Sequence, residues 1–241
     1  MKLVVIPVYN EIETLVRVLK KIEQYHDGCI LAIDDGSTDG SYEALLDFKR
    51  VKVIRRDKNS GYGQSIIDGL RYAVEKGYEQ VITIDCDEQH EPCMIPKMFA
   101  NLGDADVLSG SRYLNETKED DTAPPDRCAI NRRITKIING MTGYDLTDSF
   151  CGFKLYRVSA LTKLALNEPG YAMPLQFWVQ AKYFGLTVKE IAVPRIYKNL
   201  NRSFGSELDD PVSRFEYYKR IIERELKRWS MPLSSELIRT T

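Results

Sequence analysis

Four short apolar runs, separated by stretches of helical periodicity, fill the first third of the chain and restrict it to one kind of architecture. Residues 3–6 (Leu-Val-Val-Ile), 29–33, 51–54 and 81–84 have the length and composition of buried strands. Between the first two, residues 14–25 place Leu15, Val18, Leu19 and Ile22 on one helical face. Asp39 or Ser41 opens a second helix with Tyr42, Leu45, Leu46 and Phe48 available for packing, and the turn Asn59-Ser60-Gly61-Tyr62-Gly63 leads into a third that runs to Glu75. This βαβαβαβ order predicts an α/β fold, a mostly parallel central sheet with helices on both faces. Ligands of such sheets bind at the carboxyl ends of the strands. The polar clusters fall there: residues 9–11 after the first strand, Asp34-Asp35 after the second, residues 85–90 after the fourth.

The second half is less regular. Residues 106–109 read as a strand ending in Gly110-Ser111-Arg112-Tyr113, and 114–126, polar and holding Pro124-Pro125, as a mobile loop. A basic helix over 127–140, a strand over 150–156, a helix over 175–184, a strand over 187–193, a polar loop over 197–210 and an amphipathic helix over 212–229 follow. No repeat or linker interrupts the chain. The expected division is a main α/β domain over 1–210 and a C-terminal helix and tail over 211–241, packed on that domain, on a membrane or on a partner.

Composition narrows the function. A chain of 241 residues suits one compact domain, and a net charge of −1 excludes a global basic field, so nucleic acid is not an expected partner. Five cysteines without a CxxC pair fit a reducing compartment. Cys86, His90 and Cys93 lack a fourth ligand nearby, which weighs against zinc. No signal peptide precedes the first strand and no apolar run is long enough to span a bilayer, so the expectation is a cytoplasmic protein, at most peripheral at a membrane surface.

Several residues carry chemistry. Asp85 and Asp87, two apart behind a buried strand, suit a hard divalent cation shared with the two phosphates of a nucleotide. A lone pair of this kind is more often a solvated acidic turn, but the strand end and the neighbours Gln89 and His90 shift the weight towards a site. An EF-hand over residues 35–46 is rejected, because Leu46 stands where a bidentate Glu is required. That segment caps a helix and offers a carboxylate to a base or ribose. Gly61 and Gly63 do not form a dinucleotide fingerprint, since Ile66 replaces the third glycine; they permit a tight turn near a nucleotide. Arg112, Arg127, Arg132, Arg133 and Lys136 are phosphate-clamp candidates, at least half of them ordinary surface charge. Arg112 heads the set because it follows a strand, and Arg127 joins it as a substrate-binding candidate. Asp148, beside an apolar run, is either a general base or a structural cap.

The segments IPVYNE at 6–11, IDDGSTDGS at 33–41, NSGYGQSIIDGL at 59–70 and IDCDEQHEP at 84–92, with looser SGSRY at 109–113, DSFCGFKLY at 148–156, VKEIAVP at 188–194 and RSFGSEL at 202–208, resemble the family-two glycosyltransferases of the GT-A fold. Within them the chain looks most like the dolichol-phosphate mannose synthases and related polyprenyl-phosphate enzymes. The resemblance implies an inverting hexosyl transfer from GDP-mannose or UDP-glucose to a polyprenyl or dolichyl phosphate, or to a soluble hydroxyl compound. It implies that Pro7, Tyr9, Glu11 and Asp35 contact the nucleotide. Asp85, Asp87 and Gln89 would surround Mg2+ or Mn2+ on the donor diphosphate, Arg112 and Arg202 would hold phosphates, and Asp148 would lie near the acceptor. Two positions depart from the pattern: Glu207 stands where a Lys is usual, and Gln176 where a Glu is. A nucleotidyltransferase is disfavoured because 9–11 lacks a glycine-rich basic loop, and a non-catalytic sugar-nucleotide binder because the acidic pair is intact. In the last helix Phe215, Tyr218, Ile222, Leu226 and Trp229 form a stripe among Arg214, Lys219, Arg220, Arg224, Lys227 and Arg228. That stripe suits packing on the core or on a second subunit in a homodimer, or contact with an acidic membrane.

Overall fold

The structure, a computed structural model, describes residues 1–115, 123–197 and 205–233. Most of the loop expected to be mobile lies outside them. The first half follows the expected order: β1 (Lys2–Val8), α1 (Ile12–Tyr25), β2 (Cys29–Asp34), α2 (Ser41–Leu46), β3 (Val51–Arg55), α3 (Tyr62–Glu75) and β4 (Gln80–Thr83). A 3-10 turn (Pro92–Met94) and α4 (Ile95–Asn101) follow, then β5 (Val107–Ser111), α5 (Pro125–Thr142), β6 (Lys154–Arg157), α6 (Val158–Leu161), α7 (Met173–Tyr183), β7 (Val188–Ala192), a second 3-10 turn (Ser206–Asp209) and α8 (Pro211–Arg228). The sequence reading has no counterpart for α4 and α6.

One seven-stranded sheet has the order β3-β2-β1-β4-β6-β5-β7. All pairs are parallel except those of β6, which runs against both β4 and β5. The alternation of side chains along each strand divides the interior in two. Leu3 and Val5 join Leu31, Ile33 and Val81 in a core closed by α3, α5, α7 and α8. Val4 and Ile6 join Ile30, Ala32 and Ile82 in a core closed by α1 and α4. Both faces of β1 are thus covered, which is why its run is apolar without a break.

The strand expected over 150–156 begins only at Lys154. Upstream of it the carbonyls are taken by side chains: Trp178 Nε1 donates to Ser149 O at 2.8 Å, Thr83 Oγ1 to Gly152 O at 2.7 Å, and Lys154 Nζ to Cys151 O. Because β6 is antiparallel, this segment comes to the same sheet edge as the carboxyl ends of the parallel strands.

The stripe of α8 is spent on packing. Phe215, Tyr218, Ile222 and Leu226 lie in the first core, against α5 and α7. Among the described residues no helix is long and apolar enough to cross a membrane. Ile222→Ala, at a fully buried position, is therefore expected to cost about 2–5 kcal/mol in urea denaturation. A helix that only lay on a membrane would leave the soluble protein's stability unchanged on the same substitution.

Candidate active site

A cleft of about 1120 Å³ opens along the carboxyl ends of β1, β2, β4 and β5. Its walls include Pro7, Tyr9, Glu11, Asp35, Gly61, Asp85, Asp87, Gln89, Arg112 and Arg127. Sequence candidates from Pro7 to Arg127 thus meet at one place, as the polar clusters at strand ends require. Arg202 lies outside the described residues.

Two turns build the first end of the cleft. Side chains of the segment after β2 hold the turn after β1: Ser37 Oγ accepts from Asn10 N–H at 3.0 Å, Ser41 Oγ from Glu11 N–H at 2.9 Å, and Asp39 Oδ2 from Ile12 N–H at 3.0 Å. Asp39 and Ser41, read from the sequence as opening α2, thereby also satisfy orphan donors where α1 begins. Asp35, only 2% exposed, braces the second turn. Its carboxylate accepts the N–H groups of Ser60 (2.9 Å) and Gly61 (2.8 Å) and a 2.6 Å bond from Arg56 Nη1. Gly61 takes φ +105°, and a Cβ on it would stand 2.4 Å from Pro169 O. Glycine is needed both for the backbone angle and for the close approach of the 168–170 segment.

Gln176 explains one departure noted in the sequence. Fully buried on α7, it accepts from Asn167 and Glu168 N–H, both at 2.8 Å, and donates to Asn167 Oδ1 and to Glu225 Oε1 of α8. An amide can accept from two N–H groups and donate to a carboxylate at once, whereas a Glu here would set two buried carboxylates together.

The acidic pair follows β4. Asp85 Oδ1 accepts from Tyr62 Oη at 3.0 Å, and its Oδ2 lies 3.6 Å from His90 Nδ1. Burial and then the Asp85 charge push the Tyr62 phenol well above its ordinary pKa, so it stays a neutral donor. Asp87 Oδ1 accepts from Gln89 N–H at 3.1 Å. Among the described residues no three His, Cys, Asp or Glu side chains converge as a metal cage, and Cys93 is exposed while Cys86 is buried, so the zinc alternative has no geometry. Two carboxylates in an open cleft fit a different need. A hard cation of the Mg2+ type takes one or two carboxylates from protein and the rest of its shell from phosphate oxygens and water.

At the other end stands Arg112, just beyond β5. Its Nε and Nη2 donate to the two oxygens of Asp148 at 2.6 and 3.0 Å, and Asn131 Nδ2 adds a bond at 2.8 Å. The backbone around Asp148 is held in turn by Glu190, which accepts from Thr147 N–H and Asp148 N–H. Asp148 is fully buried and does not line the cleft. Burial opposes its charge, but the Arg112 guanidinium and the hydrogen bonds outweigh burial and hold the carboxyl down at about 2. A general base must reach its substrate and gain a proton near neutral pH. Asp148 does neither, so of the two roles the sequence leaves open the geometry favours the structural one, a buried counter-ion that orients Arg112.

Other residues of the cleft are not singled out by the sequence. Arg214 of α8 lines it, with Nη2 on Asp126 at 2.6 Å and Nη1 on Leu208 O at 2.9 Å. A signal for it exists: four residues before Tyr218 and eight before Ile222, it belongs to the buried stripe. Tyr113, Phe150, Tyr171 and Tyr218 give the cleft aromatic walls. Arg132, Arg133 and Lys136 are exposed on α5 away from the cleft, Arg133 lying over the Phe215 ring at 4.0 Å.

Comparison with known proteins agrees with this geometry. Residues 3–165 match the family described as glycosyl transferase family 2. An undecaprenyl-phosphate mannosyltransferase of Micrococcus luteus is 27% identical over 209 residues, covering 83% of this chain and 86% of that one. A UDP-N-acetylglucosamine–dolichyl-phosphate N-acetylglucosaminyltransferase of Methanococcus voltae is 27% identical over 224 residues, covering 85% and 89%. Among solved structures, glucosyl-3-phosphoglycerate synthase of Mycobacterium tuberculosis with Mn2+, UDP-glucose and phosphoglyceric acid superposes with a TM-score of 0.72 at 18% identity, covering 96% of this chain and 80% of that one. That likeness is one of fold. With the family match extending over two thirds of its length, the chain belongs to glycosyl transferase family 2.

Proposed function

We propose that the protein transfers a hexose from a nucleoside-diphosphate sugar to a polyprenyl phosphate, with inversion and with a divalent cation. The observation that carries this reading is one cleft that gathers the carboxylates of Asp85 and Asp87, the guanidinium groups of Arg112, Arg127 and Arg214, and aromatic walls. The named activities of the Micrococcus and Methanococcus relatives support the acceptor class.

The parts divide as follows. Pro7, Tyr9, Glu11 and the Asp35-braced turn at Gly61 receive the nucleoside. Asp85, Asp87 and Gln89 would hold Mg2+ or Mn2+, which when bound neutralises the charge that builds on the departing diphosphate. Arg112 and Arg127, with Arg202 as a further candidate, hold the acceptor phosphate facing the anomeric carbon. A phosphate oxygen forms the new bond to that carbon while the bond to the diphosphate breaks, its electron pair leaving with the diphosphate. The attacking oxygen is already ionised, so the cleft needs no general base, consistent with Asp148 being committed to Arg112.

The test is transfer from labelled GDP-mannose, UDP-glucose and UDP-N-acetylglucosamine to dolichyl and undecaprenyl phosphate in detergent, with and without Mn2+, followed by organic extraction. Label entering the lipid phase from one donor, and only with metal, is expected. Label appearing only in water-soluble glycosides would replace the lipid acceptor by a soluble hydroxyl compound.

A further inference from the structure

Besides the His90 imidazole 3.6 Å from its Oδ2, Asp85 is bounded on two sides by residues that are not carboxylates. On one side is Tyr62, the first residue of α3, whose Oη donates to Asp85 Oδ1 at 3.0 Å. Its ring stacks on Tyr171, with centroids 5.8 Å apart and planes 16° from parallel. Tyr171 follows the 167–170 segment, which Gln176 fastens at Asn167 and Glu168 and which accepts from Gln64 N–H through Pro169 O at 3.0 Å. The phenol is thus fixed in direction by its own helix terminus and by the segment its ring rests on.

On the other side is Gly152. A Cβ at this position would stand 2.6 Å from Tyr62 Oη and 2.7 Å from Asp85 Oδ2. The absence of a side chain is what allows hydroxyl and carboxylate to meet. This wall does not yield easily, because Trp178, Lys154 and Thr83 each hold a carbonyl of the 149–152 segment. Between a fixed donor and a fixed wall the Asp85 side chain has little freedom left, which is what a cation ligand needs to bind without a fresh ordering cost.

We propose that Tyr62 and Gly152 are positioning residues that set the Asp85 carboxylate for the divalent cation of the donor complex. This rests on the metal-dependent reading of the cleft given above. The atoms that a methyl group at 152 would strike are the ends of two side chains. No backbone atom stands in the way, so the strain falls on the hydroxyl–carboxylate contact and the fold survives while the carboxylate is displaced. Tyr62→Phe removes the hydroxyl and keeps the ring on Tyr171.

The experiment titrates Mn2+ into the full chain in the presence of saturating GDP or UDP by calorimetry, for wild type, Tyr62→Phe and Gly152→Ala, with metal-free thermal melts alongside. The two positioning variants are expected to melt near wild type and to bind Mn2+ about 10–100-fold more weakly. Wild-type affinity for Mn2+ in both positioning variants, or a loss that only tracks unfolding, overturns the assignment and leaves the proposed function standing. Absence of metal-dependent nucleotide binding in wild type overturns both.

Discussion

Asp87→Ala is expected to remove metal-dependent nucleotide binding and to lower kcat/KM about a thousandfold or more, an effect near 4 kcal/mol on the barrier. The protein should remain folded, because Asp87 is a half-buried turn residue that belongs to neither core. The reason for the size of the effect is the poverty of the site. With no cluster of three His, Cys, Asp or Glu side chains among the described residues, the cation would depend on both carboxylates, on Gln89 and on the diphosphate. Metal and nucleotide should accordingly strengthen each other's binding by the same factor. Calorimetry of GDP and UDP, each with and without Mn2+, measures this directly. Equal nucleotide affinity with and without metal in wild type, or unchanged binding in Asp87→Ala, would remove the acidic pair from the donor site.

The second large effect concerns stability and its dependence on pH. Asp148→Ala leaves the Arg112 guanidinium, with a side chain only 14% exposed, beside an empty position. Breaking a buried pair from one side costs about 3–5 kcal/mol, to be read from urea denaturation at pH 7. Activity falls with it because Arg112 loses its aim. The pH dependence has a definite sign. The Asp148 carboxyl titrates at about 2 in the folded protein and near 3.9 when unfolded, so the unfolded chain takes up the proton first as pH falls. Its stabilising contribution is complete above about pH 4 and disappears as pH drops towards 2. Between pH 5 and 9 Asp148 keeps its charge, and the rate profile should show no limb that Asp148→Asn removes. Such a limb, in a variant of normal stability, would return Asp148 to the role of a base.

Much of the site is legible in the sequence. Asp85, Asp87 and Gln89 follow a buried run, and Pro7, Tyr9 and Glu11 follow another. A parallel sheet necessarily gathers such strand ends at one edge. Asp148 is legible as a residue of interest but not in its role. Its partner Arg112 is 36 positions away, and no local pattern tells a free carboxylate from a paired one. Tyr62 reads locally as part of a glycine turn, and its bond to Asp85 spans 23 positions. Gln176 and Glu225, 49 apart, are intelligible only as a pair.

What the sequence by itself determined is the set of elements whose signal is local: apolar runs of strand length, the helical stripes of α1 and α8, and the acidic clusters that close the strands. Periodicity and burial follow from the geometry of a single segment, so they survive without knowledge of its neighbours. What only the tertiary structure decided is the reversed direction of β6, the commitment of the α8 stripe to the core, and the pairing of Arg112 with Asp148 and of Tyr62 with Asp85. Each depends on which distant segments share a boundary. That is settled by packing two cores against one sheet, where one residue's environment is made by others far along the chain.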